Sequence, residues 1–209
     1  MSGAADGTGN AAVPGGGRTR CGFVAIVGPP NAGKSTLLNR MAGAKLSIVS
    51  PKAQTTRFRV LGILMREAAG ERAQLLLVDT PGIFKPRRRL DRAMVAAAWT
   101  GAEDADLTLL LVDGRTGLTD GVRAIVEKLA TEKRRAWLVL NKTDAVSPAT
   151  LLPLTKELSG LHGFEQVYMV SARKGDGLPD LLDALALSVP EGPFLYPEDD
   201  LTDLPDRLL

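Results

Sequence analysis

Gly28-Pro29-Pro30-Asn31-Ala32-Gly33-Lys34-Ser35 is the stretch that decides the fold. Its spacing, G-x-x-x-x-G-K-S, is that of a loop that wraps phosphate groups. The apolar run before it, Phe23 to Val27, predicts a buried strand. Thr36 to Met41 after it predicts a helix with Leu37, Leu38 and Met41 on its apolar side. The order strand, glycine loop, helix is the context this spacing needs. Backbone N–H groups of such a loop turn inward and cradle phosphate oxygens, helped by the helix N-terminus. Gly28, Asn31, Ala32 and Gly33 form that cradle together with Lys34, Ser35 and Thr36. Lys34 would reach the β- and γ-phosphates of a nucleotide, and the Ser35 hydroxyl would hold Mg²⁺.

Composition bounds what surrounds this loop. At 209 residues, 44% hydrophobic and 24% charged, the chain fits one globular domain with tails. A net charge of +2 makes no electrostatic case for nucleic acid from the total. One cysteine, Cys21, excludes a disulfide within the chain and fits a reducing cytosol. Cys21 reads as a small packing residue at the start of the first strand. His162, the only histidine, reads as a loop residue without a catalytic role. Residues 1–20, rich in Gly, Ala and Ser, predict a disordered extension without a signal peptide. No run approaches the length of a transmembrane helix.

Downstream, apolar runs and helical stripes alternate. Gly43 to Thr56 lacks periodicity and predicts a loop. Arg57–Arg66 and Leu75–Val78 predict two strands joined at Ala69-Gly70-Glu71, hence an antiparallel hairpin. Leu90, Met94, Ala97 and Ala98 predict a helix, Leu107–Val112 a strand, Leu118 to Leu129 a helix and Ala136–Leu140 a strand. Leu151–Leu161 predicts a helix with Pro153 in its first turn. Val167–Val170 predicts a strand and Leu178 to Leu185 a last helix. The expected fold is three-layer α/β/α, with a six-stranded, mostly parallel sheet and one antiparallel strand. From Pro190 the pattern stops, and prolines with six acidic residues predict a linker or tail.

Each further polar motif follows a predicted strand, where ligands of such sheets bind. Asp79-Thr80-Pro81-Gly82 offers a carboxylate for Mg²⁺ and a Gly82 N–H for a γ-phosphate. In Asn141-Lys142-Thr143-Asp144, the Asp144 carboxylate can accept the two donors of guanine, a pair that adenine lacks. Asn141 would support the loop and the base edge, and the stem of Lys142 would lie along the base. In Ser171-Ala172-Arg173, the Ala172 N–H could bond the guanine carbonyl oxygen.

These motifs, in this order, resemble the translation-factor-like GTPases, and more narrowly the Era-like group of the TrmE-Era-EngA branch. The residues that carry the resemblance are Gly28 to Leu38 (GPPNAGKSTLL), Ser50 to Arg57 (SPKAQTTR), Asp79 to Gly82, Asn141 to Asp144, Val170 to Ala172 and Phe194 to Asp199 (FLYPED). Lys52 to Arg57 is the most specific of them. The resemblance runs from about Cys21 to the end of the chain.

It implies a P-loop NTPase G domain at residues 21–190, after an extension at 1–20, with residues 191–209 as the linker to a KH-type RNA-binding domain. It implies binding of GTP and GDP with Mg²⁺, and slow GTP hydrolysis as a switch in assembly of the small (30S) ribosomal subunit and maturation of its 16S rRNA. Lys34, Thr56 and Gly82 would act in catalysis, and Ser35, Thr56 and Asp79 on Mg²⁺, with Thr55 the alternative to Thr56. Ile83 stands where many GTPases carry a water-orienting glutamine. Similar GTPases hold a potassium ion with a loop asparagine, here Asn31. The resemblance further implies a cytoplasmic monomer with peripheral contact to the inner membrane. Phe58 departs from the family, where histidine is common. The run Lys85-Pro86-Arg87-Arg88-Arg89 is either a solvated face or a contact to RNA or a partner. The tetrads Gly114–Gly117 and Gly160–Gly163 fall inside the alternation and say nothing of a KH domain. The competing reading is a guanine-nucleotide-binding module with negligible turnover; an ATPase is opposed by Asp144.

Overall fold

Continuous apolar runs bounded by turns give this chain strands that are buried on both faces. The computed structural model describes residues 18–42, 46–48, 60–79, 105–197 and 202–203. Along the chain these form β1 (Thr19–Val27), α1 (Lys34–Ala42), β2 (Leu46–Ile48), β3 (Val60–Ala68), β4 (Glu71–Asp79) and β5 (Leu107–Asp113). Then come α2 (Asp120–Thr131), β6 (Ala136–Asn141), α3 (Pro148–Leu161), β7 (Val167–Met169), α4 (Leu178–Ser188) and β8 (Thr202–Asp203). The sheet order is β7-β6-β5-β1-β4-β3-β2-β8. β1 lies parallel to β4 and β5, and the parallel run continues through β6 to β7. β3 runs antiparallel to β4 across a two-residue turn at Ala69 (φ 51°) and Gly70 (φ 78°), the backbone a tight hairpin requires.

The six expected strands are thus present as β1 and β3 to β7, with β3 the antiparallel one. Two short strands lengthen the sheet beyond them. β2 lies inside the stretch read as a loop, and β8 lies inside the stretch read as a tail; they pair antiparallel at Ser47–Asp203 and Ile48–Thr202. Three residues and two residues are too few for periodicity to register. β1 also begins two residues before the expected boundary at Cys21. The helix expected at Leu90–Ala98 lies outside the described residues.

The pleat sorts side chains into two layers. Val24, Ile26, Leu75, Leu77, Leu109 and Leu111 pack under Leu37 and Met41 of α1 and Leu181, Leu182 and Leu185 of α4. Their neighbours Ala25, Val27, Leu76, Val78, Leu110 and Val112 pack under Val122, Ile125 and Val126 of α2 and Leu151, Leu154 and Leu158 of α3. Thr119 caps α2, its hydroxyl accepting the Val122 N–H at 3.3 Å. In α3 the proline that occupies the first turn is Pro148, not Pro153. Ser147-Pro148 starts the helix earlier than the leucine pattern, which leaves Pro153 in its interior on the exposed side. Burial of the three leucines holds the helix together despite the missing N–H.

The chain after α4 folds back across the sheet as a strap. Cys21 N–H donates to Pro190 O at 3.0 Å and Gly192 N–H to Thr19 O at 3.0 Å. Fully buried Gln74 then takes the place of a partner strand. Its Oε1 accepts the N–H groups of Leu195 and Tyr196, each at 3.0 Å, and its Nε2 donates to Tyr196 O at 2.8 Å. Tyr196 is buried in the layer beneath α2 and α3. Cys21 is half-buried beside Gln74, and burial pushes its thiol pKa up.

Candidate functional site

The carboxyl ends of β1, β4, β5 and β6 come together on one rim of the sheet. Register sets Asp79 beside Ile26 and Asp113 beside Asn141. Between β1 and α1, the loop from Gly28 turns through two residues of positive φ, Asn31 (61°) and Gly33 (103°). That left-handed backbone turns successive N–H groups to one side, the concave arrangement that binds anions. A Cβ on Gly33 would stand 2.3 Å from the Asn141 amide nitrogen, and one on Gly28 would stand 2.5 Å from Leu111 O. Only glycine fits either place. Lys34 Nζ folds back over the loop, donating to Gly28 O at 2.7 Å and Pro29 O at 3.0 Å. Ser35 and Thr36 lie exposed on the first turn of α1.

Two consecutive residues, the last of β6 and the one after it, grip two consecutive carbonyls of this loop. Buried Asn141 donates Nδ2 to Ala32 O at 2.9 Å, while its Oδ1 accepts the Ala172 N–H at 3.0 Å. Lys142, itself at φ 65°, donates Nζ to Asn31 O at 2.6 Å. Asn141 is expected to support the loop and the base edge, and the Ala172 N–H to meet a guanine carbonyl. In the structure Asn141 does tie the phosphate loop to the loop after β7, and its Oδ1 is the group that takes the Ala172 N–H. Asn31 presents its carbonyl to Lys142, and its side chain is exposed.

Asp144 follows on the outer side, in a single 3₁₀ turn, Thr143–Ala145. The Ser171 hydroxyl donates to Asp144 Oδ1 at 2.8 Å and accepts the Lys174 N–H at 3.0 Å. That hydroxyl, aided by the charges of Lys174 and Arg173, holds the Asp144 carboxyl below the usual carboxylate range. Arg40 of α1 donates to Ala172 O at 3.3 Å and to Arg173 O. A pocket of about 300 Å³ opens among these groups, lined by Gly33, Thr36, Arg115, Lys142, Asp144 and Arg173 with their neighbours.

Sequence reasoning missed three members of this site: Asp113, Arg115 and Arg40. Asp113 carried a usable signal, since it ends a continuous apolar strand as Asp79 and Asn141 do. It is buried, and it accepts Lys142 Nζ at 2.7 Å and Arg115 Nη2 at 2.8 Å. Burial alone would raise its pKa, but the Arg115 and Lys142 donors outweigh that and hold it far below the usual range. Of the expected site residues, Thr55, Thr56, Gly82 and Ile83 lie outside the described residues, as does the Lys85–Arg89 run. Asp79 is described by its backbone, as the last residue of β4.

A phosphate cradle between strand and helix, tied to an N-K-x-D turn on the same rim of a parallel sheet, defines a P-loop GTPase domain. The family model described as "50S ribosome-binding GTPase" matches residues 23–142, more than half of the chain. The chain belongs to that family, and within it to the Era type of GTPase domain. It is 53% identical over 194 residues to the GTPase Era of Dinoroseobacter shibae, covering 91% of this chain and 62% of that protein. To the GTPase Era of Agrobacterium fabrum it is 53% identical over 191 residues, covering 91% and 59%. An Era variant of Aquifex aeolicus bound to GDP·AlF4− superimposes with a TM-score of 0.72 at 40% identity, over 90% of this chain and 63% of that one. Era in complex with MgGDPNP and nucleotides 1506–1542 of 16S ribosomal RNA gives the same four values: 0.72, 40%, 90% and 63%. The chain thus spans about three fifths of the length of these relatives.

Proposed function

We propose that the chain binds GTP and GDP in the pocket at the sheet rim and hydrolyses GTP slowly, as a switch in assembly of the small ribosomal subunit. The observation that carries this reading is Asp144, held ionised by Ser171 in the wall of a pocket that Gly33 of the phosphate loop also lines. A carboxylate there suits the adjacent ring N–H and amine of guanine and leaves adenine without a matching pair. The loop amides and Lys34 suit a polyphosphate, and the Asn141 bridge fixes the distance between base and phosphate subsites.

The residues also fit Mg²⁺: Ser35 is exposed beside the cradle, and β4 ends in Asp79 alongside β1. Bound there, the ion would neutralise charge on the β- and γ-phosphates. Ile83, where other GTPases carry a glutamine, offers no hydrogen bond to orient water, which makes intrinsic turnover slow. A potassium ion near Asn31 would supply the compensating charge. Thr56 is the proposed hydroxyl of the first switch loop, and Gly82 the proposed amide of the second. In a full-length relative, a KH-type domain after residue 209 would add the 16S rRNA contact.

The decisive measurement is nucleotide titration with the Asp144→Asn variant. We expect guanine-nucleotide affinity to fall at least 100-fold and xanthine-nucleotide binding to appear. Unchanged GDP binding would rule out base reading by Asp144. Phosphate release in KCl and in NaCl then separates a K⁺-assisted hydrolase from a binding module, because equal rates oppose the K⁺ role and absent release opposes hydrolysis. Co-sedimentation with small ribosomal subunits tests the assembly role.

A further inference from the structure

Asp113 lies outside every motif that defines the site, yet it joins two of its loops. It is the last residue of β5, paired across the sheet with Asn141. Its Oδ1 accepts the Arg115 N–H at 3.0 Å and Arg115 Nε at 3.1 Å; its Oδ2 accepts Arg115 Nη2 at 2.8 Å and Lys142 Nζ at 2.7 Å. Its carbonyl accepts the N–H groups of Thr116 at 3.2 Å and Gly117 at 2.9 Å, which closes the turn that sets Arg115 on the pocket wall. Asn141 is rigid, being part of a strand and bonded at both ends of its amide. Lys142 has a four-carbon stem, and one carbonyl cannot fix its path. A second anchor on the ammonium, from a buried carboxylate, defines the line of the stem where it borders the pocket.

We propose that Asp113 is a positioning residue for guanine-nucleotide binding that acts through Lys142, a role that rests on the nucleotide reading above. The carboxylate draws the Lys142 ammonium away from the pocket while keeping it on Asn31 O. The stem then stands as a preformed wall for a planar base, and the phosphate loop is braced by the same bond. Arg115, forked onto that carboxylate, is fixed as a second cation at the rim.

The test is a double-mutant cycle on the full chain, read by GDP affinity and dissociation rate, with the thermal midpoint of the nucleotide-free protein as control. Asp113→Asn keeps the shape but sets an amide against the ammonium. We expect its GDP Kd to rise about tenfold, mostly through faster dissociation. In a Lys142→Met background the same change is expected to alter Kd less than twofold. A tenfold loss that persists in that background means a merely structural role and overturns the proposal, as does parental affinity in Asp113→Asn alone. If Asp113→Asn does not fold, Asp113→Glu replaces it; its smaller deficit must also vanish beside Lys142→Met, and persistence again overturns the proposal. A parent chain that binds no GDP overturns the nucleotide reading itself, which distinguishes that failure from this one.

Discussion

Asn141 satisfies two buried backbone groups with one amide, so its removal has a cost of its own besides any lost ligand contact. Asn141→Ala would leave Ala32 O and the Ala172 N–H without this partner. We expect a loss of about 2–3 kcal/mol in urea unfolding, together with loss of measurable GDP binding. Asp113 predicts a pH dependence. Its folded pKa is depressed below an unfolded value of about 3.9. A carboxylate shifted this way contributes stability that is complete above the unfolded value and is lost as pH falls through the folded one. The difference in thermal midpoint between the parent and Asp113→Asn is therefore expected to stay constant from pH 8 to pH 5 and to shrink below about pH 4. A difference that grows on acidification would contradict the assignment.

Among the elements, α3 and the strap carry the testable costs. Pro153 removes one hydrogen bond inside α3 and faces solvent. Pro153→Ala should raise stability by about 1–2 kcal/mol in thermal or urea melts, with GDP affinity unchanged. Gln74→Ala takes three hydrogen bonds from Leu195 and Tyr196 and should lower stability by about 3 kcal/mol, since buried N–H and C=O groups are left unpartnered. β4, β5 and β6 are legible because each is a continuous apolar run ended by Asp79, Asp113 or Asn141, and β1 because its apolar run leads into the glycine loop. The leucine pattern places the start of α3 at Leu151, but Ser147-Pro148 is the stronger helix-start signal and begins the helix three residues earlier. The strap was illegible for a physical reason. Its hydrogen bonds go to the first residues of β1 and to one buried glutamine, and such short pairing leaves no period in either segment. The partners of Asn141 were hidden likewise, since bonds between loops depend on where the strands end in space.

At the scale of the whole molecule, the site is a seam where four strand ends meet, and the strap ties down the opposite end of β1. Thr19 and Arg20 at the start bond Gly192, Val189 and Glu191 near the end. A chain ending at Pro190 is expected to unfold at lower urea, with a loss of about 3 kcal/mol, because Tyr196 leaves the core and Gln74 loses its partners. Equal stability of the two chains would show that the strap contributes nothing to the fold.

The partnership of Gln74 with Tyr196 spans 122 residues, and that distance bears on the order of synthesis. A ribosome adding roughly 5–20 residues each second makes Tyr196 about 6 to 24 s after Gln74. Through that interval β1 and β4 can pair, yet the amide of Gln74 faces water where the strap will lie. The nascent domain therefore reaches its final stability only when its last described segments leave the exit tunnel.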